Sequence, residues 1–175
     1  MGIRYYGWAV SRDEVIEATD DPWPVIRRAD QRHHLPGWTN TSLDKAWWRM
    51  QALFSSEQTR VRRPGYDLVA GDVTYPEETA LGHLPHIGVI DRDRVREIAL
   101  DLASVNDSDV RQHSAELHYS DESRRESDRE YLTYYLGVAR SFTEDAASRA
   151  RHRLLDRLTS ARRSRWRSAG LPAGR

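Results

Sequence analysis

The chain has 175 residues, 38% hydrophobic and 31% charged, with 27 basic and 27 acidic side chains that cancel to a formal net charge of zero. That length suits one domain with a small appendage, and six Trp with eight Tyr supply large apolar bodies that a disordered chain lacks. Cysteine is absent, which excludes disulfides, thiolate metal sites and a cysteine nucleophile, and no run approaches the ~20 apolar residues of a membrane span.

The start, Met1-Gly2-Ile3-Arg4-Tyr5-Tyr6, lacks the apolar run of a secretory signal, so the expected compartment is the cytoplasm. Ile3 to Val10 is aromatic and β-branched and predicts an opening strand. Ser11 and Glu14 have capping-box spacing, which predicts a short helix with Val15 and Ile16 facing inward. Asp20, Asp21, Pro22 and Pro24 interrupt that helix, and a second helical turn carries Val25 and Ile26. Residues 32–40 read as a loop from Pro36-Gly37 and Asn40. Leu43, Ala46, Trp47, Met50, Leu53 and Phe54 then form one face of a helix capped by Ser42.

Arg63-Pro64-Gly65 ends a polar connection, and Tyr66–Val69 and His86–Ile90 read as short strands separated by glycine and proline turns. Asp91 is placed to cap a helix whose stripe is Val95, Ile98, Ala99 and Leu102. A short helix follows over Asp107–His113. A long one begins near Asp121, with Tyr131, Tyr134, Tyr135, Val138 and Phe142 as its apolar face. The expected fold class is α/β of the α+β type: helices packed on a small mixed β-sheet, with a long C-terminal helix.

Several of these segments, in this order, carry a resemblance. They are the Met1-Gly2-Ile3 start, Val10-Ser11-Arg12-Asp13-Glu14-Val15, and above all Leu43-Asp44-Lys45-Ala46-Trp47. The Gly71 turn, the Gly88 segment, Asp91 to Ala99 and the tyrosine-rich Glu130 to Leu136 continue the series. Over residues 1–150 the chain resembles the YfbM-like proteins, a bacterial family of domains of unknown function. The resemblance implies a compact α/β domain with helices on a small mixed sheet, and it implies no reaction. Members of that family usually finish with a helix, a small turn and a short apolar strand, whereas this chain runs on into arginine-rich sequence.

The domain is therefore read as 1–148, followed by an arginine-rich helix and tail over 149–175. From Arg149 to Arg167 eight arginines stand against Asp156, a net of +7, while Asp91 to Glu130 carries a net of −5. Only Lys45 is a lysine, so codon bias accounts for much of the arginine content. Still, Arg151, Arg162, Arg163, Arg165, Trp166 and Arg167 combine guanidinium groups with an aromatic ring. That combination suits phosphate contact with base stacking, docking on an acidic protein surface, or a solvated face.

Elsewhere the sequence offers candidates that each have a plainer explanation. His83-Leu84-Pro85-His86 has the outward form of a metal pair, but Pro85 removes the helical i, i+4 geometry, so no metal is expected. His33-His34 lies in a polar loop. Asp44 and Lys45 could pair as active-site groups, though Asp44 in a first helical turn is explained by the helix dipole. Trp48 sits off the apolar stripe, where it covers a neighbouring loop or lines a groove.

No phosphate loop, nucleophile elbow or His-Glu-x-x-His run is present, and no cofactor is expected. The leading expectation is a non-catalytic binding or accessory protein acting through contacts with a protein partner or a second copy of itself. One alternative is a nucleic-acid-associated protein using the arginine-rich segment. The other is a small-molecule enzyme with a pocket near residues 67–86, drawing on Asp67, Glu78 and a candidate set of Trp48, Asp72, His83 and His86.

Overall fold

A computed structural model of the protein describes residues 5–55, 61–70 and 87–168, with the backbone alone described at 70 and 149–168. The order is β1 (Tyr5–Trp8), α1 (Arg12–Asp20), α2 (Pro22–Arg32), β2 (Asn40–Asp44), α3 (Trp47–Phe54), α4 (Gly65–Ala70), α5 (Arg92–Ser104), α6 (Asp107–Glu116) and α7 (Glu122–Ser168). Helices pack on a small sheet and a long helix closes the chain, an α+β fold. Among the described residues the sheet, expected to be mixed, is one antiparallel pair, β1 with β2.

Local chemistry sets the helix starts. The Ser11 hydroxyl accepts from the Glu14 amide while the Glu14 carboxylate accepts from the Ser11 amide, which caps α1 at both donors. Asp21 accepts from the Trp23 amide with Pro22 in the first turn, so the residues that end α1 begin α2. Asp91 caps α5 by accepting from the Asp93 and Arg94 amides. Asn106 and Asp109 form the reciprocal pair that starts α6.

The core gathers Leu43 from β2, Met50 and Phe54 from α3, Leu68 and Val69 from α4, Ile98 and Leu102 from α5, and Leu132, Leu136 and Ala139 from α7. α7 lies against α5, α6 and β2. Arg140 on α7 donates through Nε to the Leu102 carbonyl (2.9 Å) and through Nη2 to the Val105 carbonyl (2.6 Å), which closes the end of α5.

Several expectations are corrected. Tyr66–Val69 is not a strand but lies in α4, because the Asp101 carboxylate accepts from the Gly65 amide and starts a helix there. Side chains satisfy the far end: Tyr5 Oη donates to the Leu68 carbonyl (2.6 Å) and Gln51 Nε2 to the Val69 carbonyl (3.0 Å). Residues 87–90 form no strand. The helix expected from Ser42 begins at Trp47, since Asn40–Asp44 pairs with β1. The stripe itself holds, with Leu43, Ala46, Met50 and Phe54 fully buried.

Ile16 is 60% exposed rather than inward, and Ala18 is the buried residue of α1. On α7 the buried line is Leu132, Leu136, Ala139 and Thr143, with Tyr131 and Tyr135 at its flank and Tyr134 67% exposed.

Candidate functional site

β1 and β2 run antiparallel with Trp8 opposite Asn40, Gly7 opposite Thr41 and Tyr6 opposite Ser42. The Ala9 amide donates to the Thr39 carbonyl at 2.9 Å, which fixes the phase of the ladder. Thr39 and Thr41 therefore bond toward β1, and Asn40 and Ser42 turn their main-chain N–H and C=O groups to the opposite edge. No described strand pairs with that edge.

α7 runs alongside it. At one end Thr39 Oγ1 donates to Asp145 Oδ2 (3.5 Å). At the other, Tyr131 Oη donates to Asp44 Oδ2 (3.0 Å) and accepts from the Lys45 amide (3.3 Å). Between these ties lies an open groove of about 630 Å³, bounded by residues 39–42 and by Tyr134, Gly137, Val138, Ser141 and Phe142.

Small residues make the groove. Gly137 and Ser141 stand one turn apart on α7, and a Cβ added at Gly137 would meet nothing within 4 Å. On the strand side Thr41 is only 7% exposed, yet its Oγ1 has no hydrogen-bond partner. A buried hydroxyl without a partner costs about 1–3 kcal/mol. Free main-chain groups, hydroxyls and an apolar wall are the equipment for holding an extended chain.

At the Asp44 end, Asp44 has φ of 43°, the left-handed region, and turns the chain from β2 toward α3. It does not stand in a first helical turn as the sequence suggested. Ala46 occupies the cap position, and it makes no side-chain cap bond. Burial, then the hydrogen bond to Asp44, pushes the Tyr131 phenol up to about 12. A raised phenol favours the protonated form in the fold, so its stabilisation is complete below pH 10 and is lost as pH rises toward 12. The variant Tyr131→Phe should therefore lose part of the stability decline that thermal melts show between pH 10 and 12. A decline identical to wild type would show that this phenol is not coupled to folding.

Trp48 is 46% exposed and does not line the groove. The Arg49 guanidinium stacks 3.9 Å from its ring centroid, so part of its cover is intramolecular. Arg49 also pairs with Asp128 and lies 5.6 Å from the Tyr119 ring. His113 belongs to the same cluster: burial holds its pKa below the usual histidine value, and its Nε2 is buried without a partner.

Of the enzyme candidates, Asp67 is described. Its carboxylate accepts from Arg94 Nε (2.6 Å), and Arg94 also reaches Glu97 (2.5 Å), which ties α4 to α5 beside a polar cleft of about 390 Å³. Asp72, Glu78, His83 and His86 lie outside the described residues. So do the side chains of Arg151, Arg162, Arg163, Arg165, Trp166 and Arg167, although the helix that carries them continues to Ser168.

Sequence reasoning missed Asn40, Thr41, Ser42, Gly137 and Ser141. The alternation of buried Thr41 and Leu43 with exposed Asn40 and Ser42 was the available signal. Pro36-Gly37 on one side and the helical stripe from Leu43 on the other hid it. Among the described residues no group of three or more His, Asp or Glu is placed to hold a metal ion, and no helix is long and apolar enough to cross a membrane. No family model, no curated protein and no solved structure matches the chain.

Proposed function

We propose that this protein is a cytoplasmic, non-catalytic binding or accessory protein, and that it holds an extended protein segment on the open edge of β2 against α7. The observation that carries this reading is the pair of outward-facing main-chain sites at Asn40 and Ser42, set over the gap left by Gly137 and Ser141. Hydrogen bonds from such an edge supply affinity, and the wall of α7 supplies selectivity. The resemblance to YfbM-like proteins belongs to the same reading and adds no reaction to it.

Photo-crosslinking tests it. A crosslinking residue at position 40 should trap a protein in cells, whereas the same residue at position 100, on the outer face of α5, should not. Equal or absent adducts at the two positions would remove the edge as a binding site.

A second reading rests on the net charge of +7 between Arg149 and Arg167, on a helix that continues through that stretch. If these arginines contact nucleic acid, binding weakens steeply with salt through counterion release, and truncation after Ser148 abolishes it. Retention measured on a labelled oligonucleotide that is unchanged by truncation would dispose of that reading.

A further inference from the structure

We infer that the segment held on the β2 edge is a basic one, an inference that rests on the binding reading above and names the chemistry of its partner. The groove beside that edge carries one sign of charge. None of its lining residues is Lys, Arg or His, and Asp145 is the one carboxylate among them. Arg140, on the same stretch of α7, is held elsewhere by the Leu102 and Val105 carbonyls. Asp145 and its neighbour Glu144 are both exposed. A carboxylate accepts at about four lone-pair sites, so the bond from Thr39 does not exhaust it, and a guanidinium or ammonium group is the donor it binds most strongly.

The body around the groove has the same sign. Residues 1–148 hold 26 acidic side chains against 18 basic ones, a net of −8, and the balancing arginines all lie beyond them. An acidic segment would approach against that field and set its charge beside Asp145, whereas a basic one is drawn in. The chain's own basic stretch does not answer the description. α7 continues as one helix to Ser168, and a helix has no extended main chain to offer the β2 edge.

Spacing sets where the charge stands. Gly137 and Asp145 are eight residues apart on α7, about 12 Å at ~1.5 Å per residue. In an extended chain the side chains on one side recur every ~6.7 Å, so positions i and i+4 stand about 13 Å apart. The ties at Thr39–Asp145 and Asp44–Tyr131 keep α7 running alongside β2, which makes the two spacings commensurate. A basic side chain at Asp145 therefore comes with a side chain four residues away over Gly137. An added Cβ there meets nothing within 4 Å, and exposed Tyr134 and half-buried Val138 line the same groove, which suits an apolar group.

Fluorescence anisotropy on the full chain tests this with two short labelled peptides of alternating valine and threonine. They are identical except at the position four residues from a central valine, where one carries arginine and the other glutamate. The arginine peptide should bind roughly 3- to 30-fold more tightly at low salt. Asp145→Asn should cut that ratio to about 2-fold or less, and Asp145→Arg should reverse it. The arginine-rich stretch is unchanged in both variants, so its own pull on the glutamate peptide cancels in the comparison. Gly137→Leu fills the space over α7 without a clash in the free protein. It should weaken both peptides alike, with helical circular dichroism intact. Equal affinity for the two peptides, a preference that Asp145→Arg leaves as it was, or binding untouched by Gly137→Leu overturns the inference. Two peptides that fail to bind, while position 40 still crosslinks to a protein, overturn it too and leave the binding reading standing. Neither peptide bound and no adduct at position 40 ends both.

Discussion

Replacing Phe54 with alanine should lower the unfolding free energy by about 3–5 kcal/mol, a large share of what a domain of this size holds. Phe54 is fully buried at the end of α3, and its ring is the floor on which α4 begins. The Gly65 backbone presses so close that an added Cβ would come within 2.7 Å of the ring. Directly above, the Arg63 amide donates to the Phe54 carbonyl at 2.9 Å, and the Arg63 guanidinium lies 5.5 Å from the ring centroid. A cavity at this point unseats two elements, so little collapse can offset it.

The close approach also makes the effects of Gly65→Ala and Phe54→Leu non-additive. Alanine at 65 should destabilise the wild type, and should cost less once the ring is gone. Urea unfolding should show a lower midpoint at unchanged slope. A loss below 1 kcal/mol for Phe54→Ala would mean that the α3–α4 contact is not part of the cooperative core.

Asp101→Ala is expected to cost about 2–3 kcal/mol. Its side chain is only 12% exposed, and its two oxygens organise the turn before α4. Oδ1 accepts from Arg63 Nε (3.0 Å) and Nη2 (2.8 Å), while Oδ2 accepts from the Gly65 amide (2.9 Å). Removing the carboxylate leaves a partly buried guanidinium and a helix-starting amide without their acceptor. Asp101→Asn keeps the shape and one acceptor oxygen, so it should fall between wild type and alanine. Because the carboxylate is largely shielded from solvent while the guanidinium is partly exposed, high salt should change the difference only modestly. A strongly salt-dependent difference, measured by denaturation in low and high salt, would show that the pair is solvent-screened and that this turn is held by something else.

The parts of the fold written in local chemistry were legible. Ser11 with Glu14, Asp91 and the long periodic segment after Asp121 each announce a helix through caps or spacing that tertiary contacts do not override. The failures came where a distant residue decides. Tyr66–Val69 has β-leaning side chains, and it is helical because Asp101, 36 residues from Gly65, supplies its first acceptor. Leu43 fitted a helical stripe because a buried strand end and a following helix can present one continuous apolar face. On α7 the three tyrosines drew attention from Leu132 and Leu136, which hold the buried line.

The groove was harder still. A free strand edge is a property of pairing, and pairing depends on Ala9 meeting Thr39 across a separation of thirty residues. Glycine at 137 signals a gap only when the helix is known to face a strand. Nothing in the arginine-rich stretch pointed to it.

Amide hydrogen exchange at Asn40 and Ser42 reads the central claim at its source, because these two N–H groups lie in a strand yet point away from its internal partner. Followed residue by residue as the arginine-bearing peptide is titrated in, their exchange should slow together as the edge becomes paired, while Thr41 stays protected throughout by β1. Fast exchange at both positions at every peptide concentration, and unchanged in cell extract, would contradict an edge that takes up another chain.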